Sequence, residues 1–263
     1  MIMDSISVIL VDRFLVLLLV FIRMTALFVV TPVFGRREMP AYLKIGLAFF
    51  CSYIMVPLLG DVRIEYSNIF SFSAIIAKEF MVGIIIGFVS FMVFSALYLA
   101  GQIIDMQVGF GMVNVLDPTT NTQVPLIGNF IYIMTTILFL AIDGHHVLLA
   151  ALYKSYSVLP IDGFAFTEAM TNNIASIFAE VFLIGFKISI PVMAATLLAE
   201  VALGILSRTV PQMNVFIVGL PLRIGIGLIT LYIMIPVFIQ IITVTFDRMY
   251  GYVYLIIRSM AKG

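Results

Sequence analysis

The feature that most constrains this chain is an unbroken apolar run from Ile69 to Ile104, with no proline and no cluster of turn residues in its middle. The hydrocarbon core of a bilayer is crossed by about 20 apolar residues in a helix. This run is about twice that, and as one helix rising about 1.5 Å per residue it extends about 54 Å. It also carries Lys78 and Glu79. Two spans joined by a tight turn near Ser90 are the alternative, although no strong breaker stands there, and the sequence leaves both open. A second run, Ile174–Ser207, is also overlong, with Pro191 inside it as a predicted kink. Hydrophobic residues make up 63% of the chain and charged residues 11%, against about 45–50% and about 25% in soluble domains. The mean hydropathy of +1.19 agrees. A water-soluble globule cannot hide that much apolar surface, so the expected class is an all-α protein of integral-membrane type.

Four further apolar segments read as helices: Phe14–Val33, Ala41–Leu59, Pro125–Ile142 and Val215–Val244. The total is about six, or seven if the long run splits. Asp105–Gln123 reads as a loop that keeps Met106, Val108, Phe110, Met112 and Val113 among small and polar residues. Asp143–Asn173 reads as a polar, partly amphipathic connection, and Pro211–Asn214 and Gly219–Arg223 as two helix breaks. Positive charge should choose the orientation across a membrane. With six spans Lys and Arg divide almost evenly between the sides; with seven the bias is clearer, but the dividing turn is missing. Overlong helices, internal charges and no clean bias point to apolar faces buried against other protein chains rather than lipid alone.

Several function classes fall away. Fourteen Lys+Arg balance fourteen Asp+Glu, so no basic field exists to hold a phosphate backbone, and nucleic acid is not an expected partner. The single Cys51 has no disulfide partner and reads as a small buried hydrophobe. No Walker pattern, G-x-S-x-G or H-E-x-x-H occurs. Asp143-Gly-His145-His146 looks like a metal fragment, but it reads better as a hydrogen-bonded helix start, so no metal or cofactor is expected. The first apolar run lacks a basic leader and a small-residue cleavage pattern, and is expected to be a retained helix.

Ionisable groups inside apolar helices are costly and therefore candidates for function. Here they are Arg23, Lys78, Glu79, Glu180, Lys187, Glu200, Arg208 and Arg223. They read first as pairing groups between helices or subunits, with a proton relay as the alternative. A proton-coupled small-molecule transporter using Asp105, Glu180 or Glu200 is the rival function, although the repeated halves such proteins usually carry are not found. Gly83-x-x-x-Gly87 permits close approach of another helix. In Val108–Met112 two glycines flank Phe110, a composition suited to a flexible flap with an apolar tip.

One ordered set of fragments is more specific. It comprises Arg23 with Pro32-Val-Phe-Gly35 and Pro40, then Gly101-Gln-Ile-Ile-Asp105-Met-Gln107-Val-Gly109-Phe110, Asp117-Pro118, Asp143-Gly-His-His146 and Pro160. Pro191, Glu200, Gly204, Arg208, Pro211-Gln212-Met-Asn-Val-Phe216 and Gly219-Leu-Pro221 complete it. Together these resemble the FliR/SctT family of type III secretion export-gate subunits. The resemblance implies a non-enzymatic, pore-forming subunit of the flagellar export gate in the bacterial inner membrane and basal body, passing unfolded substrates. It implies helical hairpins, with a FliP-like part at 1–165 followed by a FliQ-like hairpin at 166–263. Implied partners are FliP and FliQ homologues in a helical hetero-oligomer, and FlhA and FlhB homologues. Residues 105–123 would plug the closed pore, with Met106, Gly109, Phe110, Gly111, Met112 and Val113 at the centre. Arg23, Asp105, Glu200, Arg208 and Arg223 would make assembly or intramembrane polar contacts.

Overall fold

The computed structural model describes residues 2–36, 39–60, 62, 64, 66–112, 125–210 and 214–261. Seven α-helices occur among them: α1 (Ile2–Val30), α2 (Ala41–Met55), α3 (Ile69–Val108), α4 (Leu126–Ala141), α5 (Gly144–Val158), α6 (Glu168–Thr209) and α7 (Val215–Met260). Short 3-10 turns, Val56–Leu59 and Phe110–Met112, follow α2 and α3. Five helices are long and apolar enough to cross a membrane, six if the bent pair α4–α5 counts as one span.

The long central run is a single helix, which settles the choice between one helix and two at Ser90. α3 has 40 residues, about 60 Å at about 1.5 Å per residue. Asn68 starts it by accepting from the Ser71 amide at 2.9 Å, while Ser71 Oγ accepts from the Asn68 amide at 3.2 Å. This is a reciprocal cap of the kind that satisfies otherwise orphaned N–H groups. Gly109, at φ +100°, follows the last residue of α3 in a conformation that favours glycine. α6 and α7 are longer still, at 42 and 46 residues. Thr167 caps α6 through the Met170 amide at 3.0 Å, and Asn214 caps α7 through the Ile217 amide at 3.3 Å.

Three sequence expectations are corrected. Asp143–Asn173 is not simply a polar connection, because Gly144–Val158 folds as α5. Its buried face, Leu148, Ala151, Leu152 and Ser155, recurs at three- and four-residue steps that the polar composition disguised. Gly219–Arg223 does not break the chain: Pro221 and Pro236 lie inside α7, as Pro191 lies inside α6. The tail after Val244 is also helical, to Met260. Of the other expected break, residues 211–213 lie outside the described residues.

The chain divides into two compact units, one drawn from three separate stretches and the other from two. The first comprises Met1–Met92, Asp143–Ile177 and Arg248–Gly263; the second comprises Val93–Ile142 and Phe178–Asp247, with α3, α6 and α7 passing through both. In the first unit, the Gly83/Gly87 face of α3 lies on α1. A Cβ at Gly83 would stand 2.3 Å from the Arg23 carbonyl oxygen, and one at Gly87 3.0 Å from Val30 Cβ. The missing side chains are thus what lets the helices close. The residues before α6 are stitched to the end of α7, with the Ala165 amide 3.0 Å from the Met260 carbonyl and Thr167 Oγ1 donating to the Ser259 carbonyl. In the second unit, Phe94 of α3, Phe139 of α4 and Phe246 of α7 pack with ring centres 5.2–5.4 Å apart, spacings favourable for tilted and edge-on rings.

Candidate functional site

Three polar arrangements stand out in an otherwise apolar molecule. The first is sealed. Arg23 of α1 donates from Nε to Glu79 Oε2 at 2.7 Å and from Nη2 to Glu79 Oε1 at 3.0 Å, the two-pronged geometry that suits a guanidinium and a carboxylate. Both side chains are buried, at 0% and 1% exposure. Nη1 donates to Ser155 Oγ at 3.0 Å, and the guanidinium lies 3.9 Å from the centre of the Tyr156 ring. The Leu159 carbonyl lies 3.4 Å from Nη1 and Nη2, and the Asp162 amide donates to Glu79 Oε1 at 3.3 Å. Lys78 and Glu79, neighbours in sequence, reach the same turn, because Lys78 Nζ donates to Asp162 Oδ1 at 2.6 Å. Asp162 sits at φ +69°, a left-handed conformation that aspartate tolerates better than most residues.

The second arrangement joins α3 to the start of α4. The first N–H groups of a helix have no partner within it. In α4 the first helical bond is donated by Asn129, to the Pro125 carbonyl. The two preceding amides, Ile127 and Gly128, donate to the two carboxylate oxygens of Asp105 at 3.0 and 2.9 Å. Asp105 is buried, so a side chain from another helix does the work of an N-cap. Gly101, one turn earlier on α3, lies against the same helix start: a Cβ there would be 2.4 Å from Gly128 Cα.

The third arrangement is more open. Arg223 of α7 donates from Nη2 to Glu200 Oε1 of α6, with side-chain exposures of 24% and 39%. Arg208, near the end of α6, is exposed. Beyond these three, Asp143, His145 and His146 each offer a ligand atom within 4.8 Å of the others at the start of α5. The Asp143 carboxylate lies 3.3 Å from His146 Nδ1.

The structure thus places Arg23, Asp105, Glu200 and Arg223 on partners within the chain. It also identifies groups the sequence did not single out as their partners: Glu79 and Ser155 for Arg23, the α4 amides for Asp105, and Glu200 and Arg223 for each other. Among the flap residues, Met106 is exposed on the last turns of α3, Gly109 is buried and Phe110 is half-buried. Gly111 is exposed in the 3-10 turn, which Met112 closes. Val113, with the rest of the expected loop to residue 123, lies outside the described residues.

Described residues that are almost wholly helical, with the Arg23–Glu79 and Glu200–Arg223 charges paired inside apolar helices and with long helices that turn bulky apolar side chains outward, define a membrane-embedded protein. Its class is narrowed by comparison. The family described as "Bacterial export proteins, family 1" matches residues 14–249. The chain is 40% identical to the flagellar biosynthetic protein FliR of Bacillus subtilis (strain 168), over 90% of this chain and 92% of that one. It is 29% identical to FliR of Aquifex aeolicus (strain VF5), over 90% of each chain, and 28% identical to FliR of Escherichia coli (strain K12), over 82% of each. The chain belongs to this family, the FliR family of bacterial flagellar export proteins.

Proposed function

We propose that the chain is a structural, pore-forming subunit of the flagellar type III export gate, with no enzymatic activity, in the bacterial inner membrane at the basal body. It assembles with FliP and FliQ homologues, works beside FlhA and FlhB homologues, and passes unfolded substrates. Family membership supplies the system. The observation that carries the structural role is the mismatch between helix length and bilayer thickness. α6 and α7 extend about 63 and 69 Å at about 1.5 Å per residue, while a hydrocarbon core is about 30 Å thick and tilts reach only about 40°. Both keep large side chains outward, among them Phe178, Phe182, Leu198, Ile229 and Tyr232. Of the most apolar stretch of α7, 17% is buried within the chain, against 67% in α3. Lipid alone cannot cover such faces along their whole length; sibling helices can. In this reading residues 1–165 correspond to a FliP-like part and 166–263 to a FliQ-like hairpin.

The segment around Phe110 is the plug. A passage for unfolded chains must close against ions, and an apolar constriction does so by shedding water. Phenylalanine and methionine can pack around varied sequences without selecting among them. Deleting Gly109–Val113 is expected to leave the complex assembled and make cells leaky to ions; unchanged conductance at normal complex levels removes the plug. Co-expression with FliP and FliQ homologues, followed by native mass measurement, tests the assembly. A chain that purifies alone in the presence of both removes the subunit reading.

A further inference from the structure

We propose that α6 carries an unfilled helix-docking seam with Lys187 in it, and that its occupant is an apolar helix of a neighbouring gate subunit that sets a carboxylate against the Lys187 ammonium. This deepens the subunit reading above and rests on it for the identity of the neighbour. The seam is visible in the spacing. Leu183, Lys187, Ile190, Ala194, Leu197 and Val201 are all exposed, and they follow one another at steps of four, three, four, three and four residues. The same rhythm continues through Gly204, where a Cβ would meet nothing within 4 Å, to Arg208 in the last turn. A repeat averaging about 3.5 residues keeps one stripe of a helix turned towards a partner helix at a shallow crossing. The residues that α6 buries within the chain form a separate row, among them Val181, Ile188, Val192 and Leu203. One face is thus used by the fold, and the other is patterned for a helix that none of the described residues supplies.

Apolar residues alone do not decide between lipid and protein as the cover; Lys187 does. It is exposed, and among the described residues no hydrogen bond or ion pair reaches its ammonium. No other ionisable residue occurs on the helix between Val181 and Ala199. Lys187 stands 19 residues from the start of α6 and 22 from its end, about 28 and 33 Å at about 1.5 Å per residue. A lysine stem cannot snorkel that far along a helix. An ammonium facing hydrocarbon is costly, and such groups turn instead to protein or water. A carboxylate on the neighbour offsets the cost and also sets the register, since a slide of one heptad, about 10.5 Å, unpairs the charges. The seam therefore selects its occupant by charge as well as by fit.

The test uses the full chain co-expressed with FliP and FliQ homologues. Ile190→Cys, Ala194→Cys, Leu197→Cys and Val201→Cys are made one at a time with the lone native thiol removed as Cys51→Ser, and each is labelled with a thiol-linked benzophenone. On illumination all four should join one helix of one homologue, at sites that advance along it in step. Leu206→Cys, exposed but about 140° round the helix from Val201, should not join that helix. Lys187→Met should leave the chain's own level in the membrane near normal, because the ammonium has no partner within the chain to lose. Recovery of the homologue should nevertheless fall by about tenfold or more, since its carboxylate is left unpaired. Lys187→Glu should lower recovery further, and giving the facing acidic position of the homologue a lysine should restore it. Wild-type recovery in Lys187→Met overturns the carboxylate. Adducts only on lipid, or on a second copy of this chain, overturn the occupant. Cross-links that ignore the three- and four-residue steps overturn the seam. If the wild-type chain recovers neither homologue, the subunit reading itself fails and takes the seam's partner with it.

Discussion

The Arg23–Glu79 pair and the Glu200–Arg223 pair share their chemistry and differ in nearly everything else. The first is sealed among α1, α3, α5 and the turn at Asp162, with the guanidinium meeting a carboxylate, a hydroxyl, a carbonyl and an aromatic face. The second joins two sequential helices and stays partly open. A sealed pair cannot answer to anything outside its own chain; it fixes how helices register. A half-open pair, on a helix that also carries an exposed Arg208, still has surface to offer a neighbour. The comparison teaches that an intramembrane charge is not by itself a mark of function: its remaining exposure and the completeness of its partners decide whether it serves the fold or the assembly.

Breaking the sealed pair is expected to have the largest effect. Arg23→Ala leaves Glu79 as an uncompensated buried charge, a defect that costs about 3–5 kcal/mol. The chain should fall to trace levels in the membrane by immunoblot and be missing from any purified complex. Removing both charges together, as Arg23→Met with Glu79→Met, should recover much of the loss, because well-packed apolar replacements of a buried ion pair are often neutral. A double variant no better than Arg23→Ala would mean that the pair does more than hold helices.

Much of this comparison was legible before any coordinates. The length of the Ile69–Ile104 run narrowed it to one overlong helix or two spans, and Gly83-x-x-x-Gly87 marked a face open to close approach by another helix, which is the one that α1 covers. Arg23 and Glu79 were visible as charges out of place. Their mutual partnership was not, since a separation of 56 residues along the chain carries no periodic signal. The convergence of Lys78 and Glu79 on Asp162 runs against the expectation that adjacent residues on a helix, about 100° apart, point to different sides. Long flexible stems allow one turn of chain to meet both. α5 was legible only as a helix start at Asp143 in a partly amphipathic stretch, because its polar residues lowered the hydropathy while its buried residues kept a helical period. Pro221 of α7 was misread as a break because a lone sequence cannot reveal which neighbours steady the helix around it.

Glu200→Ala sharpens the comparison at intermediate size. The pair is partly solvated, so its loss should cost the isolated chain about 1 kcal/mol or less, leaving its level in the membrane near normal. Recovery with FliP and FliQ homologues, and swimming on soft agar, should fall several-fold, and Arg208→Ala should act in the same direction. If Glu200→Ala cells assemble the complex fully and swim normally, the half-open pair belongs to the fold after all, and the distinction between the two regions fails.

The smallest effect is expected beside the largest, at Lys78. Its ammonium bonds Asp162 at 2.6 Å, but the two side chains are 34% and 50% exposed. Water and salt therefore screen the attraction, and the flexible stem loses rotamer freedom in holding one geometry. Lys78→Ala should cost well under about 1 kcal/mol, with thermal aggregation of the purified complex shifted by no more than a degree or two and export unchanged. Asp162 should tolerate Gly for a different reason: glycine accepts the left-handed backbone and still offers its amide to Glu79. A Lys78→Ala chain as scarce as Arg23→Ala would show that the turn at Asp162, rather than the Arg23–Glu79 pair, is what closes the sealed region.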